Sequence, residues 1–92
     1  MTESDREPLL ISGVVLDAPD AHALGAFYRA LLGWEVQHED EGWLKLRSPH
    51  GGAGLAFQSD PEYVRPTWPG RPGEQRMMAH LDIRVSGLDA EV

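Results

Sequence analysis

The sequence predicts a small α+β protein in a single domain, and three observations support this. An apolar, β-branched run from Leu9 to Ala18 indicates a buried strand, and a stretch with helical spacing follows it. Three shorter runs that alternate apolar and polar residues come next, each bounded by a turn. With 92 residues, 41% hydrophobic and 25% charged, the chain has the ordinary composition of one globular domain. The predicted order of elements is therefore β-α-β-β-β.

The helix is predicted between Ala21 and Leu32. Asp20 suits the N-cap position, because its carboxylate can accept the free backbone N–H groups of the first turn. Gly33 suits the left-handed residue that ends a helix. One apolar stripe is formed by Leu24, Phe27, Tyr28, Leu31 and Leu32. We expect Leu24, Phe27 and Leu31 to be buried, so that Phe27→Ala costs ~3–5 kcal/mol of stability.

Three strands are predicted after the helix, over residues 34–40, 43–48 and 53–59. A tight turn at Glu41–Gly42 joins the first two, and the sequence PHGG makes the next turn. Alternation places Trp43, Lys45 and Arg47 on one face of the middle strand. The strand residues expected in the core are Leu16, Leu46, Leu55 and Phe57.

A proline-rich loop is predicted over residues 60–76, because proline is excluded from helix interiors and central strands. The sequence AHLDIRV, residues 79–85, then alternates cleanly and predicts another strand. Its polar face would carry His80, Asp82 and Arg84, and its apolar face Leu81, Ile83 and Val85. A helix is expected to begin after Ser86 or Gly87.

A weak internal repeat indicates how the chain is organised. GVVLDAPDAHAL aligns with HLDIRVSGLDAE, with Gly13 against His80, so the second β-α unit restarts the first. We interpret residues 1–8 as a disordered lead-in, 9–59 as a first βαβββ module and 77–92 as the incomplete start of a second. The strand predicted at residues 79–85 would then have an unpaired edge and an uncovered apolar surface. We expect a second copy of the chain, or residues after Val92 in a longer protein, to cover it.

Composition excludes several classes of function. The absence of cysteine excludes a disulfide framework, a thiolate metal site and a cysteine nucleophile. With a net charge of −7 and no basic stripe, nucleic acid is not an expected partner. No apolar run approaches the ~20 residues of a membrane helix, and the acidic start does not resemble a signal peptide. The expected location is the cytoplasm.

Three motifs carry a family resemblance: VVLDAPDAHALGAFYRALLGW, then GLAFQ, then HLDIRV with LDAEV after it. They resemble the vicinal oxygen chelate superfamily, which includes glyoxalases, bleomycin-resistance proteins and extradiol dioxygenases, and in particular its bacterial glyoxalase-like branch. The resemblance covers Leu10 to Val92. It implies that two βαβββ modules build a curved sheet around a cleft. In metal-binding members, one side chain from each of four strands binds a divalent ion.

The metal positions that the resemblance implies fall at residue 13, near residue 58, at residue 80 and on a final strand that has no counterpart here. Gly13 has no side chain, which leaves Gln58 and His80. A catalytic zinc usually takes three protein ligands. We therefore expect no tightly bound metal, and the alternative is a Zn, Ni, Fe or Mn ion held by Gln58 and His80.

The candidate ligand-binding residues of the cleft are Trp43, Gln58, His80, Asp82 and Arg84. His80 is the candidate catalytic residue, because a histidine side chain can exchange protons near neutral pH. The alternative is that His80 has no catalytic role and is a polar residue held by a hydrogen bond to a neighbour. Arg84 could bind a carboxylate or phosphate of a ligand, or pair with Asp82 instead.

Three functions remain open from the sequence. The first is a glyoxalase-like protein, a homodimer, that binds a small molecule in a cleft without a tight metal. The second is a metal-dependent lyase, isomerase or dioxygenase of the same superfamily. The third is a partial copy without independent activity.

Overall fold

The computed structural model describes residues 8–86, which contain one helix and one four-stranded sheet. The elements in chain order are β1 (Gly13–Ala18), α1 (Ala21–Leu32), β2 (Glu35–Asp40), β3 (Trp43–Arg47) and β4 (Gly54–Ser59). This confirms the α+β fold class and the order β-α-β-β-β. The predicted helix start after Ser86 and all but the last residue of the predicted lead-in lie outside the described residues. No helix in the described part is long and apolar enough to cross a bilayer.

The sheet has the strand order β1-β4-β3-β2. β1 runs parallel to β4, and the remaining neighbours are antiparallel. Phe57 in β4 lies between Leu16 in β1 and Leu44 in β3. Because these side chains share one face, they form a continuous apolar layer beneath α1.

The helix begins and ends where the sequence predicts. The Asp20 side chain accepts backbone N–H groups of His22 and Ala23, at 3.0 and 3.4 Å. Gly33 follows with φ 72°, and its N–H donates to the Arg29 carbonyl oxygen at 2.9 Å. Both ends are set by local chemistry, since the cap binds free donors and glycine adopts the left-handed conformation without strain.

The core lies between α1 and the sheet. Leu46 and Phe57 are fully buried. Gly25 brings the helix close, since a Cβ atom there would lie 2.5 Å from Cδ2 of Leu44. The other members of the buried apolar cluster are Ala21, Leu44 and Leu55. Of the residues predicted in the core, Leu46, Leu55 and Phe57 are buried, and Leu16 and Leu24 are half-buried.

The predicted burial of Phe27 and Leu31 is wrong. Their exposed fractions are 59% and 55%. The helix turns Ala21 and Gly25 toward the sheet, because these two small residues permit the closest approach. Phe27 comes two residues after Gly25 and therefore lies roughly 200° around the helix from it. The stripe read from the sequence is wider than the face that one sheet can bury.

Two predicted strand segments are also corrected. Residues 9–12 are exposed and lie before β1, which begins at Gly13. Residues 77–86 contain no strand in the described structure. Parts of this segment line cavities together with residues of β1, since Ala79 lines one with Asp17 and Leu81 lines another with Val14. Alternation alone does not make a strand, because a ladder of hydrogen bonds to a partner is also needed.

Candidate functional site

The face of the sheet opposite α1 is called here the open face, and no helix of the described residues covers it. The strand alternation and register bring together on this face Gly13, Val15, Asp17, Trp43, Lys45, Gly54, Ala56 and Gln58. Two of the predicted ligand-binding residues, Trp43 and Gln58, are direct partners in the β3–β4 ladder. The structure therefore places this predicted pair side by side.

Residues of three strands form two rows across the open face. One row runs from Asp17 through Gln58 to Trp43. The next runs from Val15 through Ala56 to Lys45. Cβ atoms of directly opposed residues lie about 5 Å apart, so the side chains of each row are within reach of one another. Ala56 is buried, and the exposed apolar side chain of the second row is that of Val15. On β2 the first row continues to Asp40 and the second to His38.

Lys45 reaches across the sheet toward two glycines. A Cβ atom built on Gly54 would lie 3.3 Å from Cε of Lys45, and one built on Gly13 would lie 3.6 Å from the same atom. Gly13 and Gly54 are partners in the parallel ladder. The stem of Lys45 thus lies over a patch where the backbone is bare. Alternation along β3 predicts that Lys45 shares a face with Trp43, but Lys45 is not among the site residues predicted from the sequence.

The residues at position 13 and around it do not fit a divalent ion. Gly13 supplies no ligand atom, and the space above it holds the stem of Lys45. The ammonium group that this stem carries would repel a second cation at short range. Among the described residues, no three His, Cys, Asp or Glu side chains come together in a way that could hold a metal ion.

His80, Asp82 and Arg84 lie on the segment beside β1. The His80 side chain is 69% exposed, and its Nε2 lies 3.5 Å from an oxygen of Asp82. Asp82 and Arg84 line a cavity of about 360 Å³ on the helix side of β1. Of the predicted site residues, Trp43 and Gln58 therefore lie on the open face, whereas Asp82 and Arg84 line a cavity on the other side of the sheet.

The cavity beside Arg84 is largely apolar and has two aromatic walls. Tyr28 and Trp34 supply these walls, and Leu81 and Ile83, from the segment of residues 77–86, line another side. Leu81 and Ile83 nevertheless remain more than a third exposed. Val14, near the start of β1, also lines this cavity.

Two histidines that the sequence left unconnected meet at Asp40. Nε2 of His22 lies 2.8 Å from the backbone oxygen of Asp40, and Nε2 of His38 lies 2.7 Å from its carboxylate. Nδ1 of His22 also lies 3.4 Å from the carboxylate of Glu39. These contacts connect the first turn of α1 to the end of β2. The pairing was hidden because it depends on how α1 packs beside β2, and His50 takes no part in it.

Within residues 8–86, the strand order and the helix α1 define one βαβββ module with an open sheet face. The family model described as the Glyoxalase-like domain matches residues 13–92. The chain belongs to this family, which agrees with the resemblance to the vicinal oxygen chelate superfamily. Comparisons with curated proteins and with solved structures found no match.

Proposed function

We propose that the protein binds a small organic molecule on the open face of its sheet, without a tightly bound metal. The observation that carries this proposal is the pairing of Trp43 with Gln58, next to the exposed apolar side chain of Val15 in the neighbouring row. An aromatic ring, an amide and an apolar floor are the usual parts of a small-molecule site. Trp43 would cover one side of an apolar ligand, and Gln58 would hydrogen-bond its polar end.

A metal-dependent lyase, isomerase or dioxygenase would need more ligands than this face offers. Gln58 and His80 would have to hold the ion with no help from Gly13. Gln58 lies on the open face, whereas His80 lies on the segment beside β1 and contacts Asp82. Binding without a tight metal therefore agrees better with the placement of these residues.

We further propose that the protein acts as a homodimer. Soluble monomers rarely leave large contiguous apolar patches open to water. The apolar side chains that are more than a third exposed include Val14, Val15, Phe27, Leu31, Trp68, Met78, Leu81 and Ile83. A symmetric dimer would cover part of this surface, place the cleft between subunits and bring His80 near the interface.

The binding proposal is tested by titrating the ¹⁵N-labelled chain with indole and following its NMR spectrum. The backbone amides of Val15, Ala56 and Gln58 and the indole N–H of Trp43 are expected to shift together. Trp43→Ala should abolish these shifts. Trp34→Ala, which removes an aromatic ring from the helix side, is the matched control and should leave them in place. Shifts confined to Tyr28 and Trp34 would contradict the proposal.

A further inference from the structure

We propose that Lys45 is an anion-binding residue and that the open face selects small carboxylates with an apolar body. This inference rests on the proposed function and adds the chemical class of the ligand. Lys45 is half-buried, and it lies in the row that begins with Val15, continues through Ala56 and ends at His38 in β2.

The two glycines determine where the Lys45 side chain lies. Gly13 and Gly54 face each other on neighbouring parallel strands, and neither carries a Cβ atom. The Cε atom of Lys45 lies close enough to both that a methyl group on either would touch it. The bare backbone therefore forms a shallow groove for the stem. The stem of Lys45 therefore reaches across β4 toward β1.

Lys45 has no carboxylate partner among residues 8–86. The ion pairs in this part of the chain involve His22, His38, Arg47, Arg71 and His80. Arg47 offers the direct comparison, because it lies two residues further along β3 and donates to Glu35 at 2.9 Å. The neighbours of Lys45 in its own row are Ala56 and Val15 on one side and His38 of β2 on the other. His38 itself is paired with the carboxylate of Asp40, at 2.7 Å. Asp17 is one row beyond Val15, on the side away from the two glycines.

A half-buried lysine whose ammonium group has no carboxylate partner among residues 8–86 favours a carboxylate ligand. Hydrogen bonds between charged groups are shorter and roughly twice as strong as neutral ones. The apolar part of such a ligand would lie on Val15, which is exposed beside the buried Ala56, with Trp43 in the neighbouring row. The chain carries a net charge of −7, so its overall field repels anions. Any preference for an anion must therefore come from a local group.

The test compares two probes of the same shape and different charge, benzoate and benzamide. Each is titrated into the ¹⁵N-labelled chain, and dissociation constants are taken from the amides of Gly13, Gly54 and Ala56. Benzoate is expected to bind about tenfold more tightly than benzamide, which corresponds to ~1.4 kcal/mol. Lys45→Met and Lys45→Gln should remove this preference, and Lys45→Arg should keep it. Arg47→Met, which removes the neighbouring exposed cation, should leave it unchanged.

The outcomes separate this inference from the proposed function. If both probes bind equally well, or if Lys45→Met retains the preference for benzoate, the inference is overturned and the proposed binding face still stands. If neither probe nor indole shifts the open face, both are overturned. The amide dispersion of each variant shows whether it folds, and having two neutral replacements of Lys45 keeps the test valid if one of them does not.

Discussion

The ring of Tyr28 stacks on the ring of Phe57, with centroids 5.5 Å apart and planes inclined by 15°. This contact joins the middle of α1 to the centre of β4, where Phe57 is fully buried. Offset-stacked aromatic pairs add roughly 0.5–1.5 kcal/mol to the effect of burial alone. The pair therefore marks the centre of the core between helix and sheet.

We expect Phe57→Ala to destabilise the protein by ~3–5 kcal/mol, because it leaves a cavity beneath α1 that the neighbours cannot fill. Phe27→Ala is the matched control, since the same side chain is lost from an exposed position. Its cost should be below ~1 kcal/mol. Urea unfolding followed by circular dichroism measures both. Equal losses would mean that α1 is rotated relative to the sheet.

Gly25→Ala should destabilise the protein by roughly 1–2 kcal/mol, although alanine is the better helix former. The added methyl group would meet Cδ2 of Leu44 and a ring carbon of Phe57, at 2.5 and 3.3 Å. Gly52→Ala is the matched control, because its nearest neighbour would be Oγ of Ser48 at 3.9 Å. Thermal unfolding of the two variants compares them. A Gly25→Ala protein more stable than the original would show that α1 has room to move outward.

Zinc, nickel and iron should not bind tightly to the chain. The reason is that Gly13 offers no ligand and the stem of Lys45 occupies the space above it. Elemental analysis of protein purified without chelators measures the metal content. One equivalent of metal that is lost in His80→Ala would contradict this expectation and favour the metal-dependent alternative.

The chain should form a dimer at micromolar concentration, because much apolar surface is exposed along α1 and the final segment. Light scattering coupled to gel filtration gives the mass directly. Leu31→Asp and Ile83→Asp introduce a charge into two parts of this surface, and at least one should shift the mass toward the monomer. A monomer at all concentrations, with Leu81 and Ile83 protected from solvent, would show instead that one module closes on itself.

The parts of the fold that were predictable depend on neighbours in the sequence. Asp20 and Gly33 set the two ends of α1 through contacts within a few residues, so the sequence predicts both ends. The face of α1 that packs on the sheet depends on Gly25 meeting Leu44, which lie on different elements. A stripe of apolar residues cannot reveal that choice, which is why the prediction for Phe27 failed.

The candidate site was likewise predictable only in those features that depend on neighbours in the sequence. Alternation places Trp43 and Lys45 on one face of β3, and this is readable from the sequence. The position of Lys45 over Gly13 and Gly54 follows from the parallel register of β1 with β4, which no local pattern encodes. The segment around His80 shows the reverse case, since its alternation is clear but no strand forms there in the described structure.

The parallel pairing of β1 with β4 has a consequence for the order in which the protein folds. β2, β3 and β4 are joined by short turns, whereas the β1–β4 ladder joins Gly13 to Gly54 and must close over everything between them. Contacts between distant parts of a chain form late in folding. An edge strand, which pairs with only one neighbour, opens before the strands in the middle of the sheet. We therefore expect the amides of β1 to exchange with deuterium before those of β3 and β4. Since the groove for Lys45 needs both Gly13 and Gly54, it exists only after this last step, and a molecule bound there would slow the release of β1.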